Sequence, residues 1–464
     1  KGIEVFFIGG RNMKVVSFFS GCGGLDLGFE QAGIEVIWAN DNDPAVFETY
    51  LLNHPHTYLC RKDMRELTME EIPECDGFIG GPPCQSWSEG GKQLGLDDER
   101  GRMFLTYIHF IQAKQPKFFV IENVKGILSD KHFPTFKKML GQLKDAGYVV
   151  HYQLMNAAHY YVPQERFRVI VVGVRNDIDV KYQFPKPDTS CFITLRQAIG
   201  EITEEPRKYT SELVDMEYEK WLNHDVYMGP FDDRYMARNR VRGWNEVSYT
   251  MQAKARNCPL HPQAPKMIYV SRDKQIFRPG YEHLYRRLSV RECARIQTFP
   301  DHFRFIYHDV CDGYKMVGNA VPPRLGRAIA ESIKECFASV LSESCSILVA
   351  TYRNENQLRM SLENRLYYVR ADLRAGAMRF SQGMKAPHYL FLHKSGSYIL
   401  LILKEVEPRL VSSKYLANLG FHPSGDQYWV FEILDVETEN RTECIKNYVS
   451  EHGGMKMKPY ILKM

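Results

Sequence analysis

A short loop at residues 80–88 carries the first residue type that could do covalent chemistry. It reads Gly-Gly-Pro-Pro-Cys-Gln-Ser-Trp-Ser and follows an apolar run at residues 77–79. Two glycines and two prolines predict a stiff loop at the carboxyl end of a strand, which is where open α/β sheets place their sites. Such a loop would present Cys84 outward, and thiolates are strong nucleophiles. A buried structural cysteine, the alternative, has little need of a rigid loop, so we predict that Cys84 is a nucleophile.

Charged side chains follow other apolar runs. Glu122 comes directly after the run at residues 118–121, which makes a partner acid or base available to Cys84 at the same rim. Arg166 and Arg168 lie two residues apart, so an extended backbone would place both on one face. Paired guanidinium groups suit a phosphate or a carbonyl oxygen. The set predicts nucleophilic catalysis assisted by an acid, a base and an anion-binding group.

A glycine-rich turn joins the first apolar run to the first helical segment. Residues 19–28 read Phe-Ser-Gly-Cys-Gly-Gly-Leu-Asp-Leu-Gly. Backbone N–H groups in such a turn can approach a nucleotide-like ligand, and the helix N-terminus favours its negative end. The spacing is not G-x-G-x-x-G, so an ordinary tight turn also explains the glycines. Asp41 ends the next apolar run and could bind ribose hydroxyls; an exposed acid at a strand end is the alternative.

The elements that must position these residues alternate along the chain. Segments long enough for helices separate short apolar runs, which lie at residues 15–19, 35–39, 77–79, 118–121 and 169–174. Such alternation predicts a mostly parallel sheet covered on both faces by helices. We therefore expect an α/β catalytic and cofactor-binding domain over residues 13–174.

Three further segments complete the predicted organisation. Residues 175–285 are rich in Pro, Asn, Tyr and Arg and break the alternation, which predicts an inserted domain. Helical sequence then resumes, and the chain returns to the catalytic domain over residues 286–341. Residues 342–464 have a separate strand-like pattern, which predicts an accessory α+β domain. Residues 1–12 precede a methionine and look like upstream sequence without a function.

Composition excludes several classes of protein. The chain has 464 residues, 44% hydrophobic and 25% charged, which excludes disordered and fibrous proteins. No apolar stretch reaches the roughly 18 residues of a membrane span, and the N-terminus lacks signal-peptide order, so we expect a cytoplasmic protein. The net charge of +4 is too small to indicate a nucleic-acid partner by itself. Eleven cysteines without a C-x-x-C pattern predict reduced thiols and no metal site.

Alternating arginines mark the inserted segment. Arg238, Arg240 and Arg242 occupy every second position, and Arg256 follows. Solvated charge is the ordinary explanation of such a run. In an extended segment, however, the alternate arginines would project from one face toward DNA, and guanine is the base that arginine reads best.

Six motifs in the right order make the chain resemble the cytosine carbon-5 DNA methyltransferases over about residues 14–341. They are the loop at 19–28, Pro83-Cys84-Gln85, Glu122-Asn123-Val124, Gln164-x-Arg166-x-Arg168, residues 287–300 and residues 318–323. The resemblance implies an S-adenosylmethionine-dependent, Rossmann-like sheet with a smaller inserted DNA-recognition domain. Within the family the chain is similar to HaeIII-type methylases, which modify the inner cytosine of GGCC.

The resemblance also implies a mechanism. The target cytosine is flipped out of double-stranded DNA, the Cys84 thiolate attacks ring carbon 6, and Glu122 holds and protonates ring nitrogen N3. Arg166 binds the cytosine carbonyl oxygen, and Arg168 belongs to the same catalytic set. Carbon 5 takes the methyl group from S-adenosylmethionine, a base removes the carbon-5 proton, and Cys84 leaves.

Binding residues follow from the same resemblance. Asp41 would bind the cofactor ribose, where the family usually has Glu, and Asp63 would lie near the adenine amino group. The other expected cofactor contacts are Phe19, Gly21, Gly23, Leu25, Pro83, Asn319 and Val321. The expected DNA contacts are Ser88, Arg238, Arg240, Arg242 and Arg256.

The expected partners are double-stranded DNA and, functionally, a cognate restriction endonuclease, with the enzyme acting as a monomer. A transfer-RNA cytosine methyltransferase on the same fold remains an alternative, because the catalytic motifs do not separate DNA from RNA; the sizeable insertion favours DNA. A catalytically silent DNA-binding protein is a second alternative, and the intact catalytic set disfavours it. In the last domain, Lys404, Glu405 and Glu407 loosely suggest a nuclease-like metal site, but an accessory DNA-contacting or partner-contacting role is favoured.

Overall fold

The computed structural model describes twelve parts of the chain: residues 13–82, 99–178, 180–208, 222–342, 346–352, 354–370, 387, 389–394, 397–404, 408–436, 446 and 460–463. These residues fall into two compact units, one within Asn12–Cys336 and one within Phe337–Met464. The finer division of the first unit at residues 174 and 285 stays a prediction. No helix in the described part of the chain combines the length and the apolar composition that a membrane span needs.

A seven-stranded sheet forms the centre of the first unit, with the strand order β3-β2-β1-β4-β5-β7-β6. Its strands are β1 (Lys14–Phe18), β2 (Glu35–Asn40), β3 (Tyr58–Cys60), β4 (Gly77–Gly80), β5 (Phe118–Val124), β6 (Tyr148–Asn156) and β7 (Phe167–Arg175). The first five strands pair in parallel, whereas β7 lies antiparallel between β5 and β6. The predicted α/β fold is confirmed.

Helices cover this sheet: α1 (Gly24–Gln31), α2 (Pro44–Asn53), α3 (Glu99–Lys114) and α4 (Phe133–Asp145). The central strands are buried along nearly their whole length, which explains why they read as unbroken apolar runs. Phe18, at the end of β1, packs its ring 5.1 Å from that of Phe78 and 5.2 Å from that of Tyr107. This aromatic packing fixes the end of β1, from which the glycine-rich turn begins.

Short elements and long irregular stretches make up the described part of the insertion. They are α5 (Leu195–Ile199), β8 (Arg207–Lys208), β9 (Asp225–Val226), α6 (Asp233–Met236), β10 (Ile268–Ser271) and β11 (Lys274–Ile276). Three helices follow: α7 (Val290–Ile296), α8 (Val310–Asn319) and α9 (Pro323–Ser342). Arg287, just before α7, is buried, donates to the Gly229 carbonyl at 2.7 Å and lies 4.1 Å from the Phe231 ring. It therefore fixes the insertion to the start of α7.

The second unit contains another mixed sheet, with the order β13-β17-β15-β14-β12-β18 and β16 paired to β17. Its elements are β12 (Ser346–Thr351), α10 (Glu355–Glu363), β13 (Leu366–Arg370), β14 (Tyr389–Lys394), β15 (Ser397–Leu403), β16 (Arg409–Ser412), α11 (Ser413–Asn418), β17 (Gln427–Val436) and β18 (Tyr460–Lys463). Only β12 and β14 pair in parallel; the other described pairs are antiparallel. Leu348, Leu390, Leu401 and Phe431 lie in its buried core.

Candidate active site

A cavity of about 1010 Å³ opens at the carboxyl ends of the parallel strands in the first unit. This is the edge where open α/β sheets bind ligands. The glycine loop, which we define as residues 19–24, forms one wall, and residues of the insertion and of the turn after α8 form the other. The cavity is lined by residues 17–22, 24–26, 41–44, 80–82, 250–254 and 318–321, with Glu122 and Arg168 between them.

The glycine loop is held to the end of β2 by Asp41. One carboxylate oxygen accepts the Gly21 N–H at 2.8 Å, and the other accepts the Asp43 N–H at 2.9 Å. Burial raises the pKa of Asp41, and these two hydrogen bonds oppose that rise. Gly21 has a φ of +56° and Phe19 a φ of +54°, a conformation that is uncommon away from glycine and is found at functional sites.

Asp63 lies outside the cavity lining, although it was expected near a bound adenine. It caps the short helix at Met64–Glu66 and accepts from the Arg65 side chain at 2.8 and 2.9 Å. The hydrogen bond and charge of Arg65 lower the pKa of Asp63 to about 2. Asn42, which donates to Asp63 at 3.2 Å, does line the cavity. Its position two residues after the end of β2 is the signal that could have identified it.

Glu122 and Arg168 form an ion pair in the cavity wall. Arg168 Nε lies 2.6 Å from Glu122 Oε1, and the two side chains are 13% and 11% exposed. The other carboxylate oxygen faces Gly81, where a Cβ would lie 3.1 Å away. Gly81 begins the loop that carries the predicted residues Pro83, Cys84 and Ser88, which lie outside the described residues.

Arg166 is not among the described residues that line the cavity, so its predicted contact with a substrate carbonyl oxygen stays a prediction. The side chain is fully buried, and its guanidinium donates to three backbone carbonyls: Met251 at 3.0 Å, and Gly318 and Ala320 both at 2.9 Å. These acceptors direct the guanidinium into the protein. Of the two arginines, Arg168 is the one that reaches the cavity.

Two buried glutamines extend this contact. Gln164 accepts the Met251 N–H at 2.7 Å and donates to Gln297 at 2.7 Å. Gln297 in turn donates to the Val317 carbonyl at 2.7 Å and to the Ala320 carbonyl at 3.2 Å. The Gln164–Arg166–Gln297 network therefore joins the insertion to the turn after α8 through side chains that were predicted, in part, to bind substrate.

Close backbone approach completes the same wall. A Cβ at Gly318 would lie 2.4 Å from the Ala253 nitrogen, and a Cβ at Gly24 would lie 2.5 Å from the Val321 carbonyl oxygen. Glycine is therefore required where the end of α8 meets the insertion and where α1 meets the turn after α8. Asn319, the last residue of α8, and Val321, on the turn after it, line the cavity. Gly23 lies next to the lining, whereas Leu25 belongs to it.

Arg240 and Arg242 do not project freely from one face, which corrects the expectation of an arginine row. Residues 238–242 form no strand. Arg240 is 7% exposed, donates to the Tyr235 carbonyl at 3.0 Å and lies 4.6 Å from its ring. Arg242 pairs with Glu165 at 3.1 Å. Packing against aromatic and acidic neighbours occupies both side chains.

The exposed cations of the insertion lie elsewhere. Arg238 and Arg256 are exposed, as predicted DNA contacts should be, and so are Arg234 and Lys254. Lys254 also lines the cavity, although it had no predicted role in binding. The charge of Lys254 alone did not predict that this residue lies both in the cavity lining and at the exposed surface.

The described residues of the second unit do not assemble the suggested nuclease-like site. Lys404 pairs with Glu432 at 3.0 Å, and both are partly exposed. Glu405 and Glu407 lie outside the described residues. Within the part of the chain that the structure describes, no group of three or more His, Cys, Asp or Glu side chains is arranged to bind a metal.

Sequence comparison places the first unit among known enzymes. Residues 13–335 match the family described as C-5 cytosine-specific DNA methylase. The chain is 49% identical over 331 residues to the type II methyltransferase M.MthTI of Methanothermobacter thermautotrophicus, which covers 71% of this chain and 100% of that protein. It is 46% identical over 332 residues to M.NgoPII of Neisseria gonorrhoeae, covering 70% and 96% respectively.

Solved structures agree on the fold. A protein described as a DNA modification methyltransferase encoded within an E. coli prophage aligns with a TM-score of 0.53 and 22% identity, over 70% of this chain and 100% of its own. DNMT2 of Spodoptera frugiperda aligns with a TM-score of 0.50 and 20% identity over the same shares. The predicted family and enzyme class are confirmed. The chain belongs to the C-5 cytosine-specific DNA methylase family and is a DNA cytosine-5 methyltransferase.

Proposed function

We propose that this chain transfers a methyl group from S-adenosylmethionine to carbon 5 of a cytosine flipped out of double-stranded DNA. The observation that carries the proposal is the 2.6 Å ion pair between Glu122 and Arg168 in a cavity that the glycine loop also lines. One cavity thus offers a nucleotide-binding loop beside an acid and a cation, as a reaction between a nucleotide cofactor and a base requires.

The cavity fits a ligand of the size and chemistry of S-adenosylmethionine. Its volume of about 1010 Å³ lies at the upper end of ligand sites, which enclose roughly 300–1,000 Å³. No atom of the described residues lies within 4 Å of a Cβ placed on Gly21, so space above the loop is open. The buried Ser20 hydroxyl has no hydrogen-bond partner among the described residues and can bind a polar group of the ligand.

Five lining residues would hold the cofactor: Phe19, Gly21, Leu25, Asn319 and Val321. Each oxygen of Asp41 keeps a second acceptor position, which supports the proposed contact with ribose hydroxyls. We assign the adenine amino group to the side-chain carbonyl of Asn42 in place of Asp63. Pro83 remains a predicted contact. When bound, S-adenosylmethionine supplies the methyl group as an electrophile.

The target base would lie over the Glu122–Arg168 pair. Arg168 would donate to the carbonyl oxygen on carbon 2, and Glu122 would hold a proton at N3, so that negative charge does not build up on the ring. The Cys84 thiolate can then add to carbon 6, which makes carbon 5 nucleophilic. After methylation, a base removes the carbon-5 proton and the thiolate is expelled, which restores the ring double bond.

The proposed target is the inner cytosine of GGCC. The predicted resemblance to HaeIII-type methylases is the reason for this choice. Arg238 and Arg256 are exposed, and we propose that they contact guanine acceptors in the major groove. The relatives M.MthTI and M.NgoPII are type II methyltransferases, which supports a role in a restriction-modification system. A cognate endonuclease would cut the same unmethylated sequence, and the methyltransferase would act as a monomer.

Bisulfite sequencing of plasmid DNA from cells expressing the full chain tests this function. The expected result is methylation at the inner cytosine of GGCC, and much less in cells expressing the Glu122→Gln variant. Methylation centred on another sequence would refute the GGCC assignment but leave the carbon-5 chemistry in place. Unmodified DNA together with methylated transfer RNA would refute the proposal and favour the RNA enzyme.

A further inference from the structure

Two pairs of side chains face each other under the glycine loop. Asp26 and Glu30 lie four residues apart on α1, and Tyr50 and His54 lie four residues apart at the end of α2, so each pair shares one helix face. The Tyr50 hydroxyl donates to Asp26 at 2.6 Å, and His54 Nδ1 lies 3.0 and 3.1 Å from the two oxygens of Glu30. The Tyr50 and His54 rings stack 4.5 Å apart. We call these four residues the α1–α2 cluster.

Asp26 links this cluster to β1. It is completely buried, and a second hydroxyl, that of Ser17 on β1, donates to its other oxygen at 2.6 Å. An ionised carboxylate accepts at both oxygens and therefore satisfies both donors at once. A buried charge is stable only with such bonds. Both Asp26 and Ser17 line the cavity, directly below the loop.

His54 supports the glycine loop from beneath. Its side chain is buried, and a Cβ placed on Gly23 would lie 2.0 Å from His54 Nε2, so the ring lies directly against the loop. Nε2 has no hydrogen-bond partner among the described residues. Gly23 has a φ of +85° and closes the turn with an N–H bond of 2.9 Å to the Ser20 carbonyl. The imidazole therefore packs against Gly23 and supports the conformation of this turn.

We propose that Asp26 and His54 are positioning residues that hold the glycine loop in the shape that receives the cofactor, so that cofactor affinity depends on the ionised state of Asp26. The inference rests on the proposed function, which makes this loop the cofactor site. A protonated Asp26 must donate its own proton, so one of the two hydroxyl bonds has to rearrange. Glu122 and Arg168 lie on other strands, so the effect falls on cofactor affinity and KM and leaves kcat at saturation nearly unchanged.

The surroundings of Asp26 place this change near neutral pH. Burial raises the pKa of Asp26 to about 6; the charge of His54 and the hydrogen bond from Tyr50 lower it, and the charge of Glu30 raises it. Among the described residues, the Cys22 thiol of the loop also faces Asp26; burial raises the pKa of this thiol to about 12, so it stays neutral over this range. Cofactor affinity should therefore fall as the pH drops through about 6.

Calorimetric titration of the full-length chain with S-adenosylhomocysteine, from pH 5 to pH 8, tests the inference. In the wild type the Kd should be constant above about pH 7 and rise by up to about tenfold per pH unit below the midpoint. Asp26→Asn should bind weakly with an affinity independent of pH. Tyr50→Phe removes a bond to the ionised acid, so its midpoint should move to higher pH. Tyr58→Phe, at a tyrosine that is 66% exposed on β3, is the matched control and should keep the wild-type midpoint.

The outcomes separate the two proposals. If Asp26→Asn keeps the wild-type midpoint, or Tyr50→Phe leaves it unmoved, another group causes the pH dependence and the inference is overturned while the cofactor site stands. If the wild type does not bind S-adenosylhomocysteine at any pH, the proposed cofactor site fails, and the inference fails with it. Circular dichroism establishes whether each variant is folded. If Tyr50→Phe does not fold, Ser17→Ala tests the loss of a hydroxyl bond to Asp26 in the same way.

Discussion

Arg168 Nε lies 2.6 Å from Glu122 Oε1, although the two residues are on strands that run in opposite directions. Glu122 is near the carboxyl end of β5, and Arg168 is near the amino end of β7, because β7 is antiparallel to its neighbours. An antiparallel strand presents its beginning at the edge where parallel strands end. The direction of β7 therefore brings a cation to the catalytic edge of the sheet.

The acid of this pair should be needed for chemistry and not for cofactor binding. Glu122→Gln keeps the shape of the side chain but cannot hold the proton at N3, so we expect kcat to fall by about 10²–10⁴-fold. The Kd for S-adenosylhomocysteine should stay within about twofold of the wild type. A variant with normal turnover would show that Glu122 is not the acid.

The two arginines of the motif should differ in what they support. Arg166→Met leaves the buried carbonyls of Met251 and Gly318 without this donor, whereas the Ala320 carbonyl keeps its bond from Gln297. At about 1–3 kcal/mol for each unsatisfied group, the free energy of unfolding should fall by several kcal/mol. Arg168→Met should lower turnover with a smaller loss of stability. Urea unfolding together with a methylation assay measures both, and the opposite pattern would restore Arg166 as the substrate-binding arginine.

Glycine should be required in the last turn of α8. At Gly318 an alanine Cβ would lie 2.4 Å from the Ala253 nitrogen, which is backbone and cannot move aside cheaply. We expect Gly318→Ala to weaken cofactor binding by pushing the insertion away from the end of α8 within one wall of the cavity. Gly141→Ala, in α4, is the control: it meets nothing within 4 Å and should stabilise the chain by about 0.4–1 kcal/mol. Equal cofactor affinity in both variants would contradict this role for Gly318.

Substituting the exposed arginines of the insertion should change which DNA sequence is methylated, whereas substituting the buried Arg240 should not. Arg238→Ala or Arg256→Ala should reduce discrimination against a substituted base pair by about 1–3 kcal/mol if the side chain contacts guanine. Arg240→Ala should instead destabilise the insertion and lower activity on all sequences alike. Methylation rates on duplexes that differ at one base pair measure the difference. A changed sequence preference in Arg240→Ala alone would show that its buried position is not the one used on DNA.

The buried acid of the α1–α2 cluster should also affect folding stability. Because burial raises the pKa of Asp26 from 3.8 to about 6, the folded chain binds this proton more tightly than the unfolded chain does. Its stabilising contribution is therefore present below about pH 4 and is lost as the pH rises through about 6. The free energy of unfolding of the wild type relative to Asp26→Asn should fall by roughly 2–3 kcal/mol between pH 4 and pH 7. Urea titrations measure this difference. If the difference in unfolding free energy between the two proteins does not change over this pH range, Asp26 does not titrate with a raised pKa in the folded chain.

The local sequence pattern predicts which residues lie at the strand ends of the site. It does not predict the contacts between distant segments that form the walls of the cavity. Glu122 follows an apolar run, and parallel pairing of β1, β4 and β5 fixes such strand ends at one edge, so its place could be derived from sequence. The role of Arg166 could not be derived, because its acceptors Met251 and Gly318 lie 85 and 152 positions along the chain. The alternation of residues along a strand predicts which face a side chain is on. It does not predict which carbonyls from distant parts of the chain lie next to that side chain.

The arginine row failed for a related reason. Alternation from Arg238 to Arg242 indicates one face only if the backbone is extended, and only an isolated bridge between Val241 and Leu260 forms there. The Arg240 side chain therefore packs on the Tyr235 ring and donates to the Tyr235 carbonyl, and it does not extend into solvent. Asn42 was missed because it has no charge, although it stands directly after Asp41 at a strand end.

Transfer of a labelled methyl group shows whether this chain methylates carbon 5 of cytosine in DNA through the Cys84 nucleophile. The full-length chain is incubated with tritium-methyl S-adenosylmethionine and a duplex containing GGCC, a matched duplex without GGCC, or transfer RNA. We expect label in the GGCC duplex with the wild type, and none with Cys84→Ser, which should still bind S-adenosylhomocysteine. Near-normal transfer by Cys84→Ser, or label in transfer RNA alone, would contradict this expectation.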